Sequence, residues 1–429
     1  MIVKKINAVD YSLLILMYSQ LVILEFFGYG QTLNKIITVL ILARVIFMRG
    51  KNWQYGLLCG GGLGILYILG LLLGDNFVFS NAQSNFLMLL YPAVYTYYIV
   101  FMCKNRPYII DGFLERGFWL FNITMIVNIV VLLLQIFVPY SVNAVIADSN
   151  VIGYYEDTIS GLFRYASTHV VCLFTIFIIL YDISYVKRIQ KRSIRTLIWI
   201  FVAVMTIITF FIAANSDNKA FFLLLPLSVF TFWFSGNMSS ASRLLKVTSF
   251  ILLIPVAIML LYNFSDSARV IIDENFLRTF DLIVSARNLG TAANGSNERI
   301  AIISYALSKA STWITGTGFG SSFIYSSGYL GFNHFGQADF GAVLILGGVW
   351  FTALLLAFYM RSFILIVGQQ NNKKRSILKP SIFVILFCTA VYTQCFTRTN
   401  TMSTLILIMF AFRVREHTNE NIVGREDYI

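Results

Sequence analysis

Residues 341–366 read GAVLILGGVWFTALLLAFYMRSFILI, and they are the longest of the apolar runs that recur along this chain. A helix of about 20 apolar residues crosses the hydrocarbon core of a bilayer. Shorter runs of the same kind occupy residues 11–28, 33–48, 53–74, 86–103, 117–138, 168–186, 195–214, 219–235, 247–263, 380–396 and 400–413. The pattern predicts an all-α, polytopic membrane protein of about twelve transmembrane helices.

The composition agrees with this class. Of the 429 residues, 58% are hydrophobic and 12% are charged, with a mean hydropathy of +0.75. Soluble domains carry about 25% charged residues, so this chain is predicted to be solvated mainly by lipid. The first apolar run, Tyr11 to Phe27, lacks a small-residue cleavage site and is predicted to be a retained first span.

The net charge of +12 invites a nucleic-acid function, but the basic residues lie in short clusters between the apolar runs. Such clusters mark cytoplasmic loops. With the N-terminus placed inside, the predicted cytoplasmic segments carry 21 of the 32 basic residues. These are Lys4, Lys5, Arg49, Lys51, Lys104, Arg106, Arg116, Lys187, Arg188, Lys191, Arg192, Arg195, Arg243, Lys246, Lys373, Lys374, Arg375, Lys379, Arg413, Arg415 and Arg425. We therefore expect cytoplasmic termini and no nucleic-acid partner.

The predicted outer face has short loops with few basic residues, namely Lys35, Lys219 and Arg398, and two long loops. One long loop runs from Pro139 to about Ser167. The other, residues 264–340, is predicted to be a large extracytoplasmic loop within a single membrane domain of residues 1–429. Long ordered loops are usually functional.

Within the large loop, residues 297–313 are predicted to form a helix. Its apolar face is expected to consist of Ile300, Ile303, Leu307, Ala310 and Ile314, and to lie in the membrane interface or on the bundle. The following Gly316–Gly320 run is predicted to be a flexible turn. It is not a phosphate-binding loop, because no Lys-Ser/Thr pair follows it and no strand precedes it.

The cysteines offer no metal site, because Cys59, Cys103, Cys172, Cys388 and Cys395 lack metal-ligand spacing. Buried free thiols are expected, and no metal or cofactor is predicted.

Basic side chains of the large loop are the first candidates for function. The loop carries Arg269, Arg278, Arg287, Arg299 and Lys309, which is unusual on a predicted outer face. Arginine binds phosphate oxygens through a planar fork of donors. The alternative is pairing with the acidic residues of the same loop, Asp266, Asp273, Glu274, Asp281 and Glu298.

Other candidates lie next to predicted spans. His334 precedes the 341–366 run and is a candidate general base, with a passive interfacial histidine as the alternative. Arg164 and His169 close the first long loop, where a structural role for His169 is equally open. Lys219 is either an interfacial cap or a phosphate contact.

The order of these features resembles the O-antigen polymerase and O-antigen ligase superfamily. The family's loop pattern is similar to Asn297-Glu298-Arg299, then Trp313, Gly316-x-Gly318-x-Gly320 and Asn333-His334, followed by Gly341 and Gly347-Gly348. Ser160-Gly161-Leu162-Phe163 resembles its Gly-x-Phe element. The family's Ser-Arg-Gly element reads Ser216-Asp217-Asn218-Lys219 here, with Lys219 as the only basic group.

This resemblance implies a GT-C-like membrane fold and metal-independent glycosyl transfer from an undecaprenyl-pyrophosphate-linked glycan to a lipid-linked repeat unit. Arg299 is expected to hold the pyrophosphate with Arg164, Lys219, Arg278 or His169, and His334 is expected to orient or deprotonate the acceptor hydroxyl.

A polysaccharide polymerase is favoured, and an O-antigen ligase is the alternative. A lipid-linked oligosaccharide flippase and a scaffold are rivals of other classes. The implied setting is the bacterial inner membrane, where the partners are lipid-linked oligosaccharides and membrane lipid, with a chain-length regulator and a flippase as candidates.

Overall fold

A computed structural model describes most of the chain as helices. It describes residues 2–24, 26–47, 53–74, 77–138, 159–163, 168–186, 188–189, 191–214, 220–234, 295–322, 338–368 and 372–426, with the single residues 263, 269 and 273. No residue in these ranges belongs to a β-strand.

The described helices overlap the predicted apolar runs, although several ends differ. They are α1 (Ile2–Ser19, continued by a π-helical turn at Gln20–Leu24), α2 (Gly30–Phe47), α3 (Trp53–Leu73), α4 (Phe79–Asn105), α5 (Pro107–Arg116), α6 (Phe118–Phe137), α7 (Thr168–Val186), α8 (Arg192–Ala214), α9 (Ala220–Phe234), α10 (Gly295–Ser308), α11 (Asp339–Val367), α12 (Asn372–Tyr392) and α13 (Thr399–Glu426). Two 3-10 turns lie at Gly161–Phe163 and Ala310–Trp313. A helix therefore lies at every predicted run except 247–263, which is outside the described residues apart from Asn263.

Five helices are long and apolar enough to cross a membrane: Phe79–Asn105, Phe118–Phe137, His169–Val186, Arg192–Ala213 and Asp339–Val367. Ala8–Ile23, Cys59–Leu73 and Leu378–Tyr392 are shorter apolar helices. The described part of the chain thus has the composition and helix lengths of a membrane protein.

The central helix is α7, whose side chains are buried on all sides between Val170 and Tyr181. A helix that is apolar all round is typical of a protein core or of a membrane span, and here other helices surround it. It runs parallel to α13: His169 contacts Thr401 at one end, and Ser184 Oγ donates to the carbonyl of Ala411 towards the other.

Helix α11 runs in the same direction as this pair. Its first residue, Asp339, bonds to Thr397 just before α13, and Arg413 of α13 donates to the carbonyl of Ile366 near the end of α11. The helices α7, α11 and α13 therefore begin at one end of the bundle. We call that end the rim and the opposite end the base.

Ion pairs of described residues occupy the base. The buried carboxylate of Asp10 pairs with Arg44 and with Arg106. Arg413 pairs with Asp111 at 2.8 Å between Nε and Oδ1. Asp10 lies next to the first apolar run, and no role for it follows from the sequence pattern.

Helix α11 is broken at Gly348, whose backbone has φ 74° and ψ 178°. The break leaves the preceding carbonyls without their helical donors, and the Gly316–Gly320 turn supplies new ones. Thr317 N donates to the carbonyl of Ile345 at 2.8 Å, and Gly318 N donates to that of Leu346 at 2.9 Å. The predicted turn is present, and it is bound to the backbone of α11.

Helix α10 differs from the predicted 297–313 helix. It begins at Gly295 and ends at Ser308, because Lys309 adopts an extended backbone before the 3-10 turn. Its buried residues are Ala301, Ile302 and Ala306, whereas the predicted face members Leu307 and Ile314 are 42% and 65% exposed. Packing against α11 decides the buried side of α10, which includes the predicted face member Ile303 in part and leaves Leu307 and Ile314 outside it.

The contact between these two helices depends on Gly341. A Cβ atom at Gly341 would lie 2.6 Å from Cγ2 of Ile302, so only glycine lets α10 approach so closely. Helix α10 was predicted to lie either in the membrane interface or on the bundle, and the structure shows that it packs on the bundle.

Two smaller differences concern the end of α12 and the cysteines. The 380–396 run is helical only to Tyr392, because the polar segment after it bends back towards α11. All five cysteines are free: Cys103, Cys172 and Cys395 are buried, and Cys59 and Cys388 are partly buried.

Candidate functional site

The candidate site lies at the rim, where the α12–α13 connection, residues 393–398, crosses the start of α11. These residues are buried except for Arg398, which is partly buried. A connection buried this deeply needs partners for its backbone N–H groups.

Asp339 supplies those partners. Its Oδ2 accepts from the backbone N–H of Phe396 at 2.5 Å and of Thr397 at 3.0 Å, and its Oδ1 accepts from the Thr397 hydroxyl at 2.7 Å. The ring of Phe396 stacks on Tyr359 of α11 at 5.4 Å. The connection is thus fixed to α11 by charge-assisted hydrogen bonds and by an aromatic contact.

Arg398 follows directly and is the last residue before α13. Its Nε donates to Oε1 of Gln394 at 2.8 Å, so the connection orients its own guanidinium. Arg398 also acts electrostatically on the carboxylate of Asp339.

Arg299 lies at the same end of the bundle, on α10. Its guanidinium carbon lies 6.0 Å from the ring centre of Tyr392, the last residue of α12, which is the distance of a cation–π contact. Arg299 is partly buried, because α10 packs on α11 through Ile302.

His169 joins the two arginines. Its Nε2 lies 2.8 Å from Oγ1 of Thr401, which ties the start of α7 to the start of α13. Arg398 lies three residues before Thr401, and Arg299 contacts the ring of Tyr392, which is six residues before Arg398. Three basic side chains from α7, α10 and the α12–α13 connection thus form one group, which we call the rim cluster: His169, Arg299 and Arg398.

The backbone adds positive potential to the rim cluster. The helices α7, α11 and α13 begin here, and each helix N-terminus carries a partial positive charge from its backbone N–H groups. Two guanidinium groups beside three helix N-termini favour an anion with several oxygens.

Polar contacts extend the rim around the cluster. Gln20 Nε2 donates to Oδ1 of Asn400 at 3.0 Å. The backbone N–H groups of Gly161 and Leu162 donate to Gln135 Oε1 and Asn128 Oδ1, each at 2.8 Å. Gly161 has φ 59°, and a Cβ there would lie 2.1 Å from Asn128 Oδ1, so the Ser160–Phe163 element requires its glycine.

Of the six predicted site residues, the structure describes Arg299 and His169, and both lie at the rim. Arg164, Lys219, Arg278 and His334 lie outside the described residues. Within the described ranges, no group of three or more His, Cys, Asp or Glu side chains is arranged to hold a metal ion.

Arg398 and Asp339 are not among the site residues predicted from the sequence. A signal was present: the segment 393–401 reads TQCFTRTNT, which is a polar run with an arginine between two apolar runs. Its importance is visible only when α11 is placed beside it. The chain has no significant match among protein-family models or curated proteins.

Proposed function

We propose that the protein is a polysaccharide polymerase and that the rim cluster binds the diphosphate of an undecaprenyl-pyrophosphate-linked glycan. The observation that carries this proposal is the placement of Arg299, Arg398 and His169 at the rim, where three helices begin. Positioned cations stabilise a leaving group whose negative charge grows during bond cleavage. The proposal places the rim at the outer face of about twelve spans in a bacterial inner membrane.

In the proposed reaction, the acceptor hydroxyl oxygen forms a bond to the anomeric carbon of the donor. The bond from that carbon to the pyrophosphate oxygen breaks, and its electron pair leaves with the lipid diphosphate. Arg299 and Arg398 hold the diphosphate. His334 receives the hydroxyl proton in this scheme, and His169 fixes the start of α7 to the start of α13.

The test is an assay of the purified full chain, reconstituted in vesicles with lipid-linked repeat units. Longer glycans on the lipid carrier support the polymerase. Transfer to lipid A core instead indicates a ligase, movement of the substrate across the bilayer without chain growth indicates a flippase, and no change indicates a scaffold. Each of the last three results would overturn the proposal.

A further inference from the structure

A second polar site lies at the base, at the far end of α7 from the rim cluster. A cavity of about 210 Å³ opens there between α5, α7 and α13. One water needs only about 10–15 Å³ of such space, so the cavity accommodates a larger polar group. Its polar lining consists of Asp111, Glu115, Tyr181, Tyr185 and Arg188.

The walls of the cavity are held by contacts from separate helices. The Tyr181 hydroxyl donates to the carbonyl of Leu114, and the Tyr185 ring stacks on Phe118 at 4.3 Å. Arg188 Nη2 donates to the carbonyl of Val414 at 3.2 Å. These bonds preform the cavity, which lowers the entropic cost of binding.

The charges of the lining are mixed. Asp111 and Glu115 are four residues apart on α5, so their carboxylates share one face of that helix, and the carboxylate of Asp111 also pairs with Arg413 of α13. Arg188 lies on the other wall. An anion would meet the carboxylate of Glu115, and a simple cation would meet the guanidinium of Arg188. A zwitterion meets both charges favourably, with its ammonium at the carboxylates and its phosphate at Arg188.

The depth of the cavity matches that of lipid headgroups. Glu115 lies three residues before the candidate span Phe118–Phe137, and Arg188 lies two residues after the candidate span His169–Val186. Helix α5 buries Ile109, Ile110, Phe113 and Leu114 on one face only, as interfacial helices do.

We propose that this cavity binds a phosphoethanolamine group, presented as the headgroup of phosphatidylethanolamine. A primary ammonium offers N–H donors to the carboxylate of Glu115, and it also lies favourably against the tyrosine rings. The trimethylammonium of phosphatidylcholine has no N–H donor, and phosphatidylglycerol has no cation. This site is separate from the rim cluster and does not depend on the proposed function.

The test is native mass spectrometry of the purified full chain with phosphatidylethanolamine, phosphatidylcholine or phosphatidylglycerol. We expect preferential binding of phosphatidylethanolamine, and a fall of about tenfold in its affinity for Glu115→Gln and for Arg188→Gln, since each removes a charge-assisted hydrogen bond. Both residues are exposed, so both variants are expected to fold. Arg116→Gln and Arg192→Gln are matched exposed controls outside the lining.

Soluble phosphoethanolamine distinguishes the source of the headgroup. If it displaces the lipid at equal concentration, the ligand is the soluble zwitterion; if it does not, the ligand is the lipid. In both cases the bound group is phosphoethanolamine. Equal binding of phosphatidylethanolamine and phosphatidylglycerol, or unchanged lipid binding by Glu115→Gln, would overturn the proposal.

Discussion

Asp339 and Thr397 are joined by two hydrogen bonds, from the Thr397 hydroxyl to Oδ1 at 2.7 Å and from the Thr397 N–H to Oδ2 at 3.0 Å. Asp339 begins α11, and Thr397 lies two residues before α13. This pair therefore sets the position of Arg398 relative to α11, and with it one half of the proposed anion site.

The first prediction concerns this pair. Asp339→Ala leaves buried N–H groups without an acceptor, at a cost of about 1–3 kcal/mol each. We expect a lower melting temperature of the purified chain and loss of glycan polymerisation. Asp339→Asn keeps one oxygen acceptor and is expected to lose less stability. Equal melting temperatures for Asp339→Ala and the wild type would contradict the role of Asp339 as an anchor.

The second prediction concerns the two arginines. Removing one positioned donor to a developing oxyanion costs about 10²–10³-fold in rate. Arg299→Ala and Arg398→Ala are each expected to lower kcat/KM for the lipid-linked donor by at least about 100-fold. Lysine keeps the charge without the planar fork, so Arg398→Lys is expected to recover part of the activity.

The control for the arginine variants is Arg116→Ala, which removes an exposed arginine at the base. It is expected to polymerise at the wild-type rate. If folded Arg398→Ala protein also polymerises at the wild-type rate, Arg398 does not contact the diphosphate.

The third prediction concerns the break in α11. A Cβ at Gly348 would lie 2.8 Å from Gly316 N and 2.9 Å from the carbonyl oxygen of Thr312. The backbone conformation of Gly348 costs other residues about 1–3 kcal/mol before any clash. We expect Gly348→Ala to lower the melting temperature clearly.

Gly60→Ala is the matched control for Gly348→Ala. Gly60 lies within α3, and a Cβ there would meet no described atom within 4 Å outside the backbone of that helix. Replacing glycine by alanine within a helix typically stabilises it by about 0.5–1 kcal/mol. If Gly60→Ala lowers the stability as much as Gly348→Ala does, the contact between α11 and the Gly316–Gly320 turn does not explain the loss of stability in Gly348→Ala.

The fourth prediction concerns the base. Asp10 is fully buried and bonds to Arg44, Arg106 and the Tyr98 hydroxyl. Breaking a buried ion pair by removing one partner typically costs about 3–5 kcal/mol. Asp10→Ala is expected to destabilise the chain strongly, and Arg44→Ala less, because Arg106 still pairs with Asp10. Thermal unfolding measures both, with the exposed Lys104→Ala as the control.

The fifth prediction concerns topology. In a background without the five native cysteines, a single cysteine at Lys309 is expected to react with an impermeant maleimide added outside intact cells. A cysteine at Arg116 is expected to react only after the membrane is opened. Both positions are exposed. The reverse pattern would place the rim cluster in the cytoplasm and remove the proposed diphosphate substrate.

The positions of the helices could be predicted from the sequence, because an apolar run long enough to form a buried helix is a local property of the chain. This explains why the 341–366 run corresponds to α11 and the 168–186 run to α7. Helix ends were less predictable: Lys309 ends α10 through its backbone conformation, and the α12–α13 connection leaves the helix to reach Asp339.

The amino-acid sequence alone determined that this protein is helical and apolar, and it singled out Arg299 as a cation in an unexpected place. Only the tertiary structure decided which side chains meet. His169 and Thr401 are 232 positions apart, yet their bond joins the two central helices. Helix packing depends on side-chain shape across the whole bundle, so neither the placement of Arg299 and Arg398 at the same end of the bundle nor the anchoring of the Arg398 segment by Asp339 could be inferred from periodicity.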